Sequence, residues 1–170
     1  MQRIVLALLF LICSSGCFSS GGFDTVDFHY SGLTLRIPAN ACVIASNGGD
    51  DNVLIFRYGP EKGKKFLAFS DLTHDSSLSY GCEPAVFFDD VFNENGQSNC
   101  NREQLNVFSE VFLTDVEKGS WVGSEMTVYF TIGKEHSFLF ACDANKKVIK
   151  IDTDFLNKSE LKGIVEKYLK

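Results

Sequence analysis

The side chains in this sequence that could move protons in a reaction are three histidines and two close pairs of carboxylates. They are His29, His74, Asp89, Asp90, His136, Asp152 and Asp154. Covalent catalysis would require one histidine within hydrogen-bond reach of both a nucleophile and an orienting carboxylate. No serine lies in a G-x-S-x-G motif. We therefore expect a protein that is not an enzyme, and a small hydrolase built on His74 or His136 is the alternative.

The spacing around two of the histidines favours structural or surface roles. His136 alternates with Phe138 and Phe140 in EHSFLFAC, which predicts a histidine buried in the core. His74 is followed by Asp75 in a polar stretch, and we expect the two to form a surface pair. Neither pattern by itself predicts a catalytic centre.

The segment NGGDDN, residues 47–52, is the acidic stretch that most resembles a metal site. Asn47, Asp50, Asp51 and Asn52 offer the oxygen ligands that Ca²⁺ prefers. The segment lacks the alternating acidic spacing and the distant glutamate of an EF-hand loop. Its Asn-Gly and Gly-Gly steps are typical of a hairpin turn. We expect a plain turn, with no metal and no cofactor.

The amino terminus has the pattern of an export signal. Arg3 gives a positive start, and residues 4–12 are uninterrupted apolar residues. As a helix this stretch covers about 14 Å, roughly half of a ~30 Å hydrocarbon layer. It is therefore too short to span a membrane, and removal by a signal peptidase is the expected fate.

Residues 14–17, SSGC, follow the apolar stretch and resemble the lipobox of bacterial lipoproteins. The resemblance implies cleavage before Cys17, diacylation of its thiol and acylation of the new amino end. Residues 1–16 are then the signal peptide and residues 17–22 a flexible tether to the membrane. Phe18, directly after the cysteine, implies the outer membrane, with the domain facing the periplasm. Ser14 also suits the ordinary signal peptidase, so a periplasmic or secreted protein is the alternative.

Four further cysteines remain in the mature chain: Cys42, Cys82, Cys100 and Cys142. Exported proteins meet an oxidising compartment, so an even number of cysteines predicts two disulfides. We expect Cys82–Cys100, which closes a short loop around a helical segment, and Cys42–Cys142, which would join an early strand to a late one. Sequence alone leaves all three pairings open. A zinc site is the weaker alternative because no pair has C-x-x-C spacing.

The charge balance bears on the choice of partner. The chain has 16 basic and 22 acidic residues, a net charge of −6, and loss of Arg3 with the signal peptide makes it −7. This balance argues against a nucleic-acid partner. Lys62, Lys64 and Lys65, with Arg57 nearby, form a dense basic cluster. We interpret the cluster as a solvated turn, and a contact with an anion or a lipid headgroup is the alternative.

Periodicity along the rest of the chain predicts an α+β fold in a single domain, residues 23–170. Alternating apolar and polar residues predict a mainly antiparallel sheet of six or seven strands. The strand segments are VDFHY, LTLRIP, CVIAS, VLIFRYG, KFLAFSDL, EMTVYFTI, EHSFLFAC and KKVIKID. Apolar residues three and four apart predict two short central helices, over residues 84–92 and 102–113. Asn157 and Glu160 have capping-box spacing at the start of a C-terminal helix, which we expect to pack on the sheet.

The strict alternation of EMTVYFTI predicts one buried face and one solvated face, the latter with Tyr129 and Thr131. Most aromatic side chains should fill the core. Tyr58, Tyr80 and Trp121 are the exceptions that we select as a candidate partner surface.

The leading interpretation is a non-enzymatic, lipid-anchored envelope protein that binds another envelope component, expected to be a protein. The alternative within binding is a periplasmic immunity or inhibitor protein that neutralises a basic toxin or enzyme. Its negative charge would suit that role, because complementary charge speeds association.

Overall fold

The computed structural model describes residues 24–49, 52–75, 80–93 and 99–170. The predicted signal peptide, Cys17 and the tether lie outside these residues, as do Asp50 and Asp51 of the acidic turn. In the described part, no helix has the length and apolar character needed to cross a membrane.

The described chain contains nine strands and three α-helices, which confirms the predicted α+β class. The elements in chain order are β1 (Thr25–Tyr30), β2 (Leu33–Pro38), β3 (Val43–Asn47), β4 (Val53–Arg57), β5 (Phe66–Asp71), α1 (Pro84–Asn93), α2 (Arg102–Phe112), β6 (Glu117–Val122), β7 (Met126–Ile132), β8 (Ser137–Asp143), β9 (Val148–Thr153) and α3 (Lys158–Val165), followed by a 3₁₀ turn at Glu166–Tyr168. Strand β6 was not predicted.

Seven strands form one antiparallel sheet in the order β3-β4-β5-β9-β8-β7-β6, and β1 pairs with β2 in a separate hairpin. The predicted meander is confirmed, because β7, β8 and β9 are neighbours in the sheet. Strand β9 also pairs with β5, and Ile151 lies opposite Phe69. The last strand of the chain therefore joins the early strands to the late ones.

One face of the sheet is covered by the β1–β2 hairpin and α3. Leu35 of β2 and Leu161 of α3 are fully buried in the same cluster as the sheet residues Phe69, Leu139 and Ile151. Burying such side chains is the main stabilising term in folding, about 1.5–3 kcal/mol for each. The C-terminal helix is thus packed over the sheet as predicted.

The start of α3 has the capping box that the sequence predicted. The Asn157 side chain accepts hydrogen bonds from the backbone N–H groups of Ser159 and Glu160. The Glu160 carboxylate accepts the Asn157 N–H at 2.8 Å. At the other end of the helix, the Tyr168 hydroxyl accepts the Thr34 N–H at 2.7 Å, which attaches the C-terminus to β2.

The opposite face is covered by α1 and α2, which we call the helical layer. Phe88 of α1 and Phe108 of α2 pack on Phe140 of β8, with ring centroids 5.1 and 5.0 Å apart. Because of this layer, Tyr129 and Thr131 are 3% and 0% exposed, and the prediction of a solvated face for this strand was wrong. Both faces of β7 are covered.

The predicted Cys82–Cys100 disulfide is present and joins the segments that lead into α1 and α2. Next to it, the Asn101 N–H donates to the Tyr80 carbonyl at 2.8 Å. Gly81, between Tyr80 and Cys82, has φ +68°, a conformation that costs a glycine little. The two helices are therefore fixed to each other at their N-terminal ends.

The structure contradicts the predicted Cys42–Cys142 disulfide: both thiols are free, Cys42 exposed and Cys142 buried. Cys42 precedes the edge strand β3 and donates its N–H to the Arg57 carbonyl, whereas Cys142 lies in β8. Strands β4, β5 and β9 separate β3 from β8. At ~4.8 Å per strand these strands are about 19 Å apart, and a disulfide needs Cα atoms within about 7 Å.

The helical layer covers only part of its face of the sheet. Helix α1 packs on β6, β7 and β8, while Val43 of β3 and Ile55 of β4 are 41% and 39% exposed on the same face. Every residue of β3 is exposed. The half of the sheet around β3 is therefore open to solvent in the described part of the structure.

Candidate partner-binding surface

The two helices of the helical layer form where their sequences carry start signals. Pro84 is the first residue of α1, where its missing N–H costs no hydrogen bond. Asn101 is the N-cap of α2, and its side chain accepts the N–H groups of Glu103 and Gln104 at 3.0 and 3.3 Å. The phenylalanines then point towards the sheet, which leaves the opposite faces of both helices outward.

Three of the exposed large apolar residues of the described chain lie on these two helices. Val86 is 45% exposed, Val107 48% and Val111 64%. Residues three and four apart are neighbours on a helix surface. Val86 is therefore next to Asp89 and Asp90, both in α1.

The same spacing places carboxylates around the valines of α2. Val107 has Glu103 four residues before it, and Glu110 and Val111 three and four residues after it. Both glutamates are exposed. We call these two patches, Val86 with its carboxylates on α1 and Val107 and Val111 with theirs on α2, the acidic valine surface.

Acidic residues outnumber basic ones throughout the helical layer and its flanks. In the described residues from position 83 to 115 the only basic side chain is Arg102, and the acidic residues are Glu83, Asp89, Asp90, Glu103, Glu110 and Asp115. Two lysines outside the helices, Lys118 of β6 and Lys146 of the β8–β9 turn, offset part of this charge. Lys146 pairs with Glu83 at 2.9 Å, and Lys118 lines a cleft of about 450 Å³ between the helices together with Asp90. A clear negative excess remains.

His136 and Asp152 form the one histidine–carboxylate pair that the described ion pairs contain. The His136 Nδ1 lies 3.5 Å from Asp152 Oδ1. The imidazole ring is close to Phe66 and Phe138, at 5.8 and 6.2 Å between centroids. The His136 side chain is 49% exposed, so the prediction of a buried histidine was wrong. The residue stands just before β8, on the turn.

Within the pair, Asp152 is the only acid–base group next to His136. Burial raises the pKa of Asp152, while Lys150 and His136 act in the opposite direction. In the part of the chain that the structure describes, no hydroxyl or thiol is hydrogen-bonded to the His136 ring. Covalent catalysis requires a nucleophile next to the histidine. The described residues around His136 do not supply one.

The remaining candidate residues for acid–base chemistry have other positions. His29 lies 3.2 Å from the Thr34 hydroxyl on the exposed hairpin. His74 is exposed after β5. Asp154 does not act as a partner of Asp152, because its two oxygens accept backbone N–H groups from Lys65 and Phe66.

The three aromatic residues predicted to form a partner surface do not lie together. Tyr58 packs against Phe155 and Trp121 against Phe130, on the α3 side of the sheet. Tyr80 packs on Phe87 in the helical layer, on the other side. The sheet separates Tyr80 from the other two, so this set does not form one surface.

The acidic valine surface was missed although the sequence holds a signal for it. The predicted stripe of α2 was Leu105, Phe108 and Phe112, and these residues do face the interior. Val107 and Val111 are two further apolar residues of α2, four apart, that lie outside this buried stripe. Apolar residues in excess of the buried stripe of a helix indicate a second apolar face.

Comparisons with known proteins do not add to this picture. No protein-family model matches the chain, and neither a curated protein nor a solved structure matches it. Within the described residues, no group of three or more histidine, cysteine or acidic side chains is placed to hold a metal ion. Function must therefore be inferred from the surfaces of this chain.

Proposed function

We propose that this chain is a non-enzymatic protein of the cell envelope, tethered to a membrane through lipid on Cys17, that binds a basic protein through the acidic valine surface. The observation that carries the binding role is the exposure of Val86, Val107 and Val111 between carboxylates on the helical layer. An exposed apolar patch with a polar rim is typical of a protein interface.

The two kinds of side chain would contribute differently to binding. The valines supply apolar area that leaves water on contact, which stabilises the complex. The carboxylates attract a basic partner and exclude acidic ones, which sets the association rate and the specificity. Nucleic acid is excluded as a partner of this surface, because phosphates would be repelled by it.

The same charge supports a second candidate function, neutralisation of a basic toxin or enzyme in the periplasm. An inhibitor of this kind would cover the active site of its target, and its association would be accelerated by opposite charge. The two candidates differ in outcome: an inhibitor abolishes the activity of its bound partner, whereas an envelope binding protein leaves it intact.

The binding role can be tested by photo-crosslinking in the producing cell. A photoreactive residue at Val107 should give a crosslinked species that the same residue at Val26 does not. Val26 of β1 is a matched control, because it is a valine with the same exposed fraction, 48%, as Val107. The crosslinked protein should be basic. An acidic partner, or equal crosslinking at both positions, would contradict the proposal.

The identified partner then allows a quantitative test. The dissociation constant should rise about tenfold or more in the Glu103→Lys/Glu110→Lys variant, and it should rise with salt, because screening weakens exposed charges. Glu166→Lys, an exposed change on the far side of the sheet, should leave the constant unchanged. Binding that is insensitive to salt and to the α2 variant would overturn the assignment of this surface.

The lipid anchor is tested separately by the intact mass of the protein from the membrane fraction. We expect a chain that begins at Cys17 with added acyl mass. An unmodified mature chain in the soluble fraction would remove the anchor and leave a secreted binding protein.

A further inference from the structure

The loop between β4 and β5, residues 59–65, presents lysines at one end of the sheet. Its shape is fixed by Asp154, whose two carboxylate oxygens accept the N–H groups of Lys65 and Phe66 at 2.9 Å each. The Tyr58 N–H donates to the Lys65 carbonyl at 2.7 Å and closes the loop. The backbone at both ends of this loop is therefore held by hydrogen bonds.

The turn between β7 and β8 adds a fourth lysine at the same end. Lys134 lines a depression of about 510 Å³ together with Lys64 and Lys65 of the loop. Glu61 and Glu135 border the same depression. We call this region, with Lys62, the lysine end of the molecule.

The ammonium groups of the lysine end are free to meet an external anion. In the part of the chain that the structure describes, none of these four lysines takes part in an ion pair. Asp154, which lines the same depression, uses both oxygens on backbone N–H groups. Charges that find no partner within a protein are available to a ligand.

The described chain begins at this same end. Thr25, the first residue of β1, is opposite Pro38, and the Pro38 carbonyl accepts the Tyr58 hydroxyl at 3.0 Å. Cys17 is seven residues before Asp24, and seven residues of fully extended chain reach about 25 Å. A lipid on Cys17 would therefore hold the lysine end near the membrane surface.

We propose that the lysine end lies on the membrane, where its lysines contact the phosphate groups of anionic phospholipids. The proposal rests on the lipid anchor of the proposed function. A Debye length of about 8 Å in physiological salt limits the interaction with the bilayer to the charges at this end. There the lysines line the depression together with Glu61, Glu135 and Asp154. Helix α1 begins at the opposite end, where Glu83 pairs with Lys146, and α2 ends near the lysine end, where Phe112 packs on Phe138.

The test uses the mature chain, residues 17–170, with Cys17→Ser, so that acylation does not contribute. The chain is mixed with vesicles of phosphatidylglycerol and phosphatidylcholine, or of phosphatidylcholine alone, and bound protein is measured by flotation. We expect binding to the anionic vesicles only. Lys64→Glu/Lys65→Glu should weaken it by about tenfold or more, since each lysine near an anionic surface contributes several-fold.

The control is Lys167→Glu/Lys170→Glu, the same charge change at exposed residues of the C-terminus. This control should bind like the parent chain, and both variants should keep the parent melting temperature. Equal binding to neutral vesicles, equal loss in both double variants, or no loss in Lys64→Glu/Lys65→Glu would overturn the proposal.

A further arm distinguishes the membrane from a soluble phosphate compound. If glycerol phosphate at millimolar concentration removes the chain from vesicles, the depression is a site for a free phosphate group and the membrane assignment is wrong. Because the chain carries no lipid, failure of this experiment leaves the mass measurement of Cys17 and the crosslinking at Val107 unaffected.

Discussion

Asp152 is a carboxylate that the fold keeps from full contact with water. It lies between Ala68 of β5 and Phe138 of β8 on the face that carries the helical layer. Its side chain is 22% exposed. Burial raises its pKa from the ordinary 3.8, and the attraction of Lys150 and His136 offsets only part of this effect.

A raised pKa in the folded state has a definite consequence for stability. Between pH 3.8 and the folded pKa, the folded state binds more protons than the unfolded state, so the free energy of unfolding falls as pH rises through this window. We expect Asp152→Asn to melt at a higher temperature than the parent chain at neutral pH. The difference in melting temperature should vanish below pH 3.8, where the Asp152 side chain of the parent is protonated and as neutral as the asparagine of the variant.

Asp154→Asn provides the contrast, because an amide offers one oxygen where the carboxylate accepts two N–H groups. This variant should melt lower than the parent chain at neutral pH. Thermal denaturation of the three proteins across the acid range measures both effects, and a higher melting temperature for Asp154→Asn would refute this account of its role.

Two glycines should respond in opposite ways to a methyl group. A Cβ on Gly123 would lie 1.9 Å from the Tyr168 carbonyl oxygen, whereas one on Gly163 would meet nothing within 4 Å. Gly123→Ala should therefore cost about 1–3 kcal/mol of unfolding free energy through overpacking. Gly163→Ala, inside α3, should gain about 0.5–1 kcal/mol because glycine is a poor helix former. Urea denaturation measures both, and equal effects would contradict the geometry.

At the scale of elements, the disulfide between Cys82 and Cys100 restrains the two helices of the helical layer. Its cysteines are 18 residues apart, and closing a loop of this length stabilises by about 3 kcal/mol in the chain-entropy model. We expect Cys82→Ser/Cys100→Ser to lose about that amount in urea denaturation. Cys42→Ser, at an exposed free thiol, should lose almost nothing.

Hydrogen exchange should show where the loss falls. Helix α1 packs directly on β6, β7 and β8, so its amides should remain protected in the disulfide variant. Amides of α2 should exchange faster, since the cross-link fixes the start of that helix. Uniform loss of protection over the whole sheet would mean that the helical layer is not a separate unit of stability.

Local patterns predicted most elements, because their causes are local. The capping box at Asn157 and the N-terminal Pro84 act within one helical turn, and turn residues fix the β3–β4 hairpin. Strand β6 was missed because Gly119 and Ser120 are typical of loops. Here Gly119 is needed, since a Cβ would lie 2.8 Å from the Phe130 ring.

Several of the other errors concern contacts between elements far apart in the chain. Tyr129 has the alternation of a solvated position, and only the helical layer makes it buried. Judging whether Cys42 could reach Cys142 requires the order of the strands in the sheet, which no local pattern contains. The acidic valine surface also depends on which helical faces meet the sheet, although Val107 and Val111 gave a signal within α2. Burial and pairing of this kind are set by tertiary packing, which periodicity within one segment does not reveal.

At the scale of the whole molecule, the two edges of the sheet differ in their protection. Edge strand β6 carries Glu117 and Lys118 and lies under α1. Edge strand β3 has no charged side chain, and its Ile44 is 62% exposed. Unprotected edges pair with other strands. The open half of the sheet is thus the region from which self-association should start.

Adding a charge at this edge should suppress association without affecting the fold. We expect Ile44→Lys to lower light scattering at high protein concentration, with a stability change of about 0.5 kcal/mol or less, as for most exposed sites. Ser46→Lys adds the same charge on the same side of β3 but keeps the isoleucine, so it separates charge from apolar area. Unchanged scattering in both variants would place the cause of association elsewhere.

The position of β9 has a consequence for the order in which the chain is made. Strand β5 pairs with β9, and Phe69 lies opposite Ile151, which is synthesised near the end of the chain. Pairing of strands so far apart in the sequence is slow. The sheet cannot be completed while the C-terminal strand is still in the ribosome. For the export that we propose, this delay would be an advantage, because the sheet stays incomplete until the C-terminal strand has been made.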